Sequence, residues 1–198
     1  MLAGFQDAFV ALAADADLRH RFRTDAKAAL ADFELTPREH AALVAIPLPA
    51  LERYARSLVA KRWSEVSRVT PLTLRVAPGL GATYRAWAAI TPARAIDTLL
   101  SPGVAEALRA HDAIRAALAH PAEASYAADL WSFEVLRAAS RGDGEIRTFA
   151  SRFAIQAIAA EVERGLLPID PDLQPTTVRF VRPCELGTVS TPAHLRAP

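Results

Sequence analysis

Between Leu2 and roughly Ser140 the apolar residues recur at intervals of three and four, the spacing of helices that bury one face. Leu2, Phe5, Phe9 and Leu12 mark a first helix, and Leu18 with Phe22 a second that Asp15-Ala-Asp17 can cap. Thr24 or Asp25 opens a short helix holding Leu30 and Phe33. Thr36-Pro37-Arg38-Glu39 reads as a capping box with proline at the first helical position, and Pro47 ends the turn that follows. Pro49 opens the longest helix, to about Val69, with Leu51, Ala55, Leu58, Val59, Arg62, Val66 and Val69 on or near one stripe. Leu72, Leu74 and Val76 suggest only a turn, and Leu80, Tyr84 and Trp87 a further helix. Thr91-Pro92 and Ser101-Pro102 each read as a cap followed by proline. Tyr126, Leu130, Phe133 and Leu136 line the last helix of this series.

After Arg141-Gly142-Asp143-Gly144 the period shortens towards two. Glu145 to Phe153 reads as a strand, Ala154 to Arg164 as a short helix, and Thr176 to Arg182 as a second strand closed by Pro183. The predicted fold class is therefore α+β, mainly α. A helical bundle over residues 1–140 precedes a strand–helix–strand appendage over 141–198, the boundary falling at the two glycines. Such a small sheet has exposed edges, and an edge can pair with an extended peptide. On the second strand Val178 and Phe180 are expected to face inward and Arg179 outward.

Composition narrows the function classes. The 198 residues carry 23 Lys+Arg against 22 Asp+Glu, a balance that argues against nucleic acid as the main partner. Cys184, the single cysteine, excludes an internal disulfide framework and any multi-cysteine zinc site. No stretch approaches the roughly 20 apolar residues of a membrane span, and the N-terminus lacks the pattern of a signal peptide, so a soluble cytoplasmic protein is expected. The densest basic run, Arg19-His20-Arg21-Phe22-Arg23, is either a solvated face or a patch for an acidic partner.

Candidate chemistry is sparse. None of His20, His40, His111, His120 and His194 forms a His-x-x-x-His or Glu-x-x-His arrangement, and His111 and Asp112 lie about 100° apart around a helix. No metal site and no catalytic residue is expected in this chain. Cys184 has no histidine near it in sequence, and Glu134, between Phe133 and Val135, reads as a partner for an arginine or a rim residue.

Phe22-Arg-Thr-Asp-Ala-Lys-Ala-Ala-Leu30, Phe33-Glu-Leu-Thr-Pro-Arg-Glu39 and Leu51-Glu-Arg-Tyr-Ala-Arg-Ser-Leu-Val-Ala-Lys-Arg-Trp63 carry a resemblance. The chain resembles the MbnC-type partner subunits of methanobactin biosynthesis, small proteins encoded beside iron-dependent TIM-barrel enzymes that modify cysteines of ribosomally made peptides. The resemblance implies that iron sits in the barrel partner and that this chain has no cofactor of its own. The two subunits together would convert precursor cysteines into oxazolone–thioamide pairs, with the present chain holding the leader segment. Partners of other peptide-cysteine-modifying iron enzymes would have the same features.

On this reading the leader lies extended along the small sheet. Arg147, Phe149, Arg152, Thr177, Arg179, Val181 and Arg182 are the candidate peptide-binding residues, the arginines serving either the leader or protection of the edge. Arg62, Trp63, Arg68, Tyr84 and Trp87 are the candidates for docking onto the barrel, where aromatics and arginines are common anchors, though Trp63 and Trp87 are equally candidates for the core. Two other readings compete: a winged-helix-like DNA-binding regulator, which the charge balance opposes, and a stand-alone enzyme using Cys184 or Glu134.

Overall fold

A computed structural model describes residues 3–91, 99–120 and 124–181. It is mainly helical, with one two-stranded antiparallel sheet among the described residues. Two compact units emerge, one formed by Met1–Ser64 with Ala82–Ala95, the other by Glu65–Gly81 with Ile96–Pro198.

In the first unit α1 (Ala3–Ala14), α2 (Ala16–Thr24), α3 (Ala26–Ala29) and α4 (Pro37–Val44) lead into α5 (Leu48–Val69), whose last turns belong to the second unit. Local chemistry sets the starts. Asp15 Oδ1 accepts from the Asp17 and Leu18 amides at 2.8 and 3.0 Å, and Asp25 accepts from Ala28 at 2.9 Å. Thr36 and Glu39 close the capping box reciprocally: the Glu39 amide donates to Thr36 Oγ1 and the Thr36 amide to the Glu39 carboxylate. Leu12, Leu18, Phe22, Leu30, Leu43 and Leu51 form the core these helices enclose.

The second unit is arranged around a helix whose first half is buried on every side. α6 (Pro71–Val76), the start of α7 (Leu80–Ile90) and α8 (Pro102–Leu118) precede α9 (Ala127–Asp143). Every residue from Tyr126 to Val135 is buried, because α8, α6 and the sheet elements all pack on α9. The segment expected to be a turn at Leu72–Val76 is helix, and an outside group holds its start. Thr70, at the cap position, makes no capping bond with its side chain. Instead Glu134 reaches from α9 and accepts from the Leu72 and Thr73 amides, both at 2.8 Å, and from Thr73 Oγ1 at 2.7 Å. Three donors that α6 cannot satisfy alone are thus paired. Ser101 likewise makes no side-chain cap, whereas Pro102 does open α8. The helix start expected at Thr91-Pro92 falls largely outside the described residues.

α9 runs through Gly142 to Asp143, and Gly144 ends it in the left-handed region, φ 74°, which a Cβ would disfavour. Then come β1 (Arg147–Ser151), α10 (Ile155–Glu163) and β2 (Thr176–Phe180), with Arg147 opposite Phe180 and Phe149 opposite Val178. Phe149, Phe153, Val178 and Phe180 bury one face of this sheet against Leu130, Phe133, Ile155, Ile158 and Val162. Arg75 of α6 donates to the Val162 and Glu163 carbonyls at 2.8 and 3.1 Å and so caps the far end of α10. Among the described residues no helix is long and apolar enough to cross a membrane.

Candidate functional site

The sheet shows the alternation that strands impose. Phe149, Ser151, Val178 and Phe180 are buried, while Thr148, Ala150, Thr177 and Arg179 face solvent. A two-stranded antiparallel sheet leaves half of the backbone donors and acceptors of each strand pointing outward. Among the described residues no other backbone segment bonds to either strand.

The candidate peptide-binding residues divide into three kinds. Thr177 and Arg179 stand exposed on the outer face, and Val181 is partly buried just beyond β2. Phe149 turns its ring into the core, so only its backbone is available to a peptide. Arg147 and Arg152 are held by their own chain. Arg147 forks onto Asp143, each nitrogen 2.7 Å from a carboxylate oxygen, and reaches Glu145 at 3.0 Å. The pair fixes the corner from α9 into β1, helped by the Glu145 amide on Asp143 Oδ1 at 2.9 Å. Arg147 thereby holds the Asp143 carboxyl well below the usual range, at about 2. Arg152 donates to the Ser125 carbonyl at 2.9 Å and lies over the Phe153 ring. Arg182 and Cys184 lie outside the described residues.

Of the candidate docking residues, Arg62, Trp63, Tyr84 and Trp87 come together in the first unit. Tyr84 is fully buried between Trp63 and Trp87, with ring centroids 5.3 and 5.5 Å away. Arg62 lies over Trp87 and donates to the Ala88 and Thr91 carbonyls at 3.0 Å, which satisfies the open end of α7. Arg68 belongs to the second unit, where it is exposed and paired with Glu65 at 3.1 Å.

Two polar clusters in the second unit, each built on a buried residue of α9, have no counterpart in the sequence reading. Asp129 is 1% exposed and accepts from Ser151 Oγ at 3.0 Å and from the Arg152 amide at 2.9 Å, which joins the end of β1 to the start of α9. With Arg115 and Arg152 it lines a cavity of about 350 Å³. His111 connects Asp112, at 2.9 Å, to Ser132 Oγ, at 3.0 Å. That chain of groups matches the connectivity of a serine nucleophile, but Ser132 is wholly buried and its hydroxyl donates to the Ala128 carbonyl, so a substrate has no approach. The readable signal was modest: Asp129, Ser132 and Glu134 are polar residues inside an otherwise apolar helix, which marks internal partners without naming them.

Glu134 is nearly as enclosed, and burial pushes its carboxyl pKa up against the pull of its three donors. That occupied geometry makes it a cap rather than a proton shuttle. Among the described residues no group of three or more His, Cys, Asp or Glu side chains is placed to hold a metal ion. No protein-family model, curated protein or solved structure matches the chain.

Proposed function

We propose that this chain is the non-catalytic partner subunit of a heteromeric iron- and dioxygen-dependent enzyme that modifies precursor-peptide cysteines, forming oxazolone–thioamide pairs of the methanobactin type. Its task is to hold the leader segment as an added strand on the β1–β2 sheet. The observation that supports this reading is a two-stranded sheet that, among the described residues, bonds to no third backbone segment and whose buried face packs on α9 and α10. An edge of such a sheet supplies backbone affinity without a fixed sequence, while Thr177 and Arg179 add register and charge on the solvent face.

An apolar loop belongs to the same picture. Leu166, Leu167, Ile169 and Leu173, between α10 and β2, are 55, 55, 95 and 70% exposed. Four large apolar side chains left in water within one loop suit a surface that a partner covers. Iron and dioxygen chemistry belongs, in this proposal, to the barrel partner, and the helices of the first unit serve in docking.

The test is coexpression with an iron-dependent TIM-barrel protein and a short cysteine-containing precursor peptide, both sought among the reading frames that neighbour this gene. The reading requires that the two proteins copurify, that the peptide be modified only when both are present, and that the leader bind this chain in the absence of the barrel. A leader that binds the barrel alone with unchanged affinity contradicts it. A salt-sensitive gel shift with duplex DNA would favour the regulator instead.

A further inference from the structure

The first unit contains a groove of about 590 Å³ that shares no residue with the sheet. Its walls come from the α1–α2 junction, from α5 and from α7. Ala13, Ala55, Leu58, Val59 and Ala89 give it an apolar floor, and the short alanine side chains leave the space unfilled. Arg19, Arg23, Arg56, Arg62 and Arg85 stand around that floor, with Glu52 as the one carboxylate in the lining. The basic run of the sequence is therefore part of a cavity wall and not merely a solvated face.

One carboxylate of the lining meets an arginine directly: Glu52 pairs with Arg23. Arg19 donates to the Leu12 and Ala13 carbonyls at 3.0 and 2.9 Å, and Arg62 to the carbonyls that close α7. These carbonyls fix the positions of both guanidinium groups, and Asp15 and Glu52 lie close enough to Arg19 to offset part of its charge. Arg56 and Arg85 are exposed and make no hydrogen bond or ion pair among the described residues. Like charges gathered around an apolar floor repel, and an anion seated among them relieves that repulsion.

We propose that this groove is a binding site for an amphipathic organic anion: an apolar body on the alanine floor, and a carboxylate, phosphate or sulfonate head among the guanidinium groups. The volume lies in the range of small-ligand sites, roughly 300–1,000 Å³, and guanidinium forks suit such heads. This goes beyond the peptide-capture reading and uses the other unit, so either can fail without the other.

The probe is 8-anilinonaphthalene-1-sulfonate, followed by fluorescence on the full chain, with dodecanoate, dodecanol, inorganic phosphate and a polyglutamate peptide as competitors. The expected result is saturable binding displaced by dodecanoate but not by dodecanol, and weakened roughly tenfold or more by R56E/R85E. Both arginines are exposed, and an unchanged circular dichroism spectrum and melting temperature would show that the variant is folded. Binding that survives R56E/R85E overturns the proposal. Phosphate that competes as well as dodecanoate removes any role for the floor and overturns it too. Displacement by polyglutamate alone would instead assign the groove to an acidic protein segment.

Discussion

Glu134 concentrates the argument at the scale of single residues, since one carboxylate satisfies two backbone amides and a hydroxyl on a helix that begins 63 positions earlier in the chain. Replacing it with alanine leaves those donors buried without partners, so Glu134→Ala is expected to cost about 3 kcal/mol and Glu134→Gln about half that, measured by urea unfolding. Asp143 gives a prediction in pH. Its folded carboxyl titrates at about 2 against an ordinary 3.8, so its contribution is complete above about pH 4 and is lost as the pH falls through the folded value. Stability of the wild type should therefore drop between pH 4 and pH 2 more steeply than that of Asp143→Asn. Glu134 acts in the opposite sense: burial raises its folded pKa, so ionising it costs the folded state as the pH rises from the unfolded value through the folded one. Parallel acid titrations of wild type and Asp143→Asn separate the two, because only the Asp143 contribution is removed.

At the scale of elements, the sheet predicts a sharp alternation. Phe180 packs on Phe133 at 5.6 Å, and Phe180→Ala should destabilise by about 3 kcal/mol, whereas Arg179→Ala next to it should stay within about 0.5 kcal/mol while weakening leader binding. Gly103, in the first turn of α8, allows a close approach: a Cβ there would stand 2.6 Å from the Glu65 carbonyl oxygen, so Gly103→Ala should cost about 1–3 kcal/mol in the same assay. The elements legible in the sequence were those whose signals are local. The Thr36 box, the alternation through β2 and the run of α10 all depend on neighbours within a few positions. α6 has the sequence of a turn because its stabilising group, Glu134, lies on α9. The α9–β1 boundary was legible as a glycine pair, yet the Arg147–Asp143 fork that fixes it was not, since it spans the break in periodicity. For the same reason Arg147 and Arg152 read as candidates for the leader or for edge protection, when their partners are residues of their own chain. The groove, lined from α1, α2, α5 and α7, has no signature beyond alanine content and a basic run.

For the whole molecule the account rests on an open edge that another polypeptide completes. Binding at such an edge follows the peptide backbone, in which alternate amides point towards the sheet. The most direct measurement is a titration of this protein with the leader peptide N-methylated at one backbone amide at a time. The account predicts that affinity falls at every second position and is nearly unchanged at the positions between. Equal losses along the peptide, or none, would contradict it.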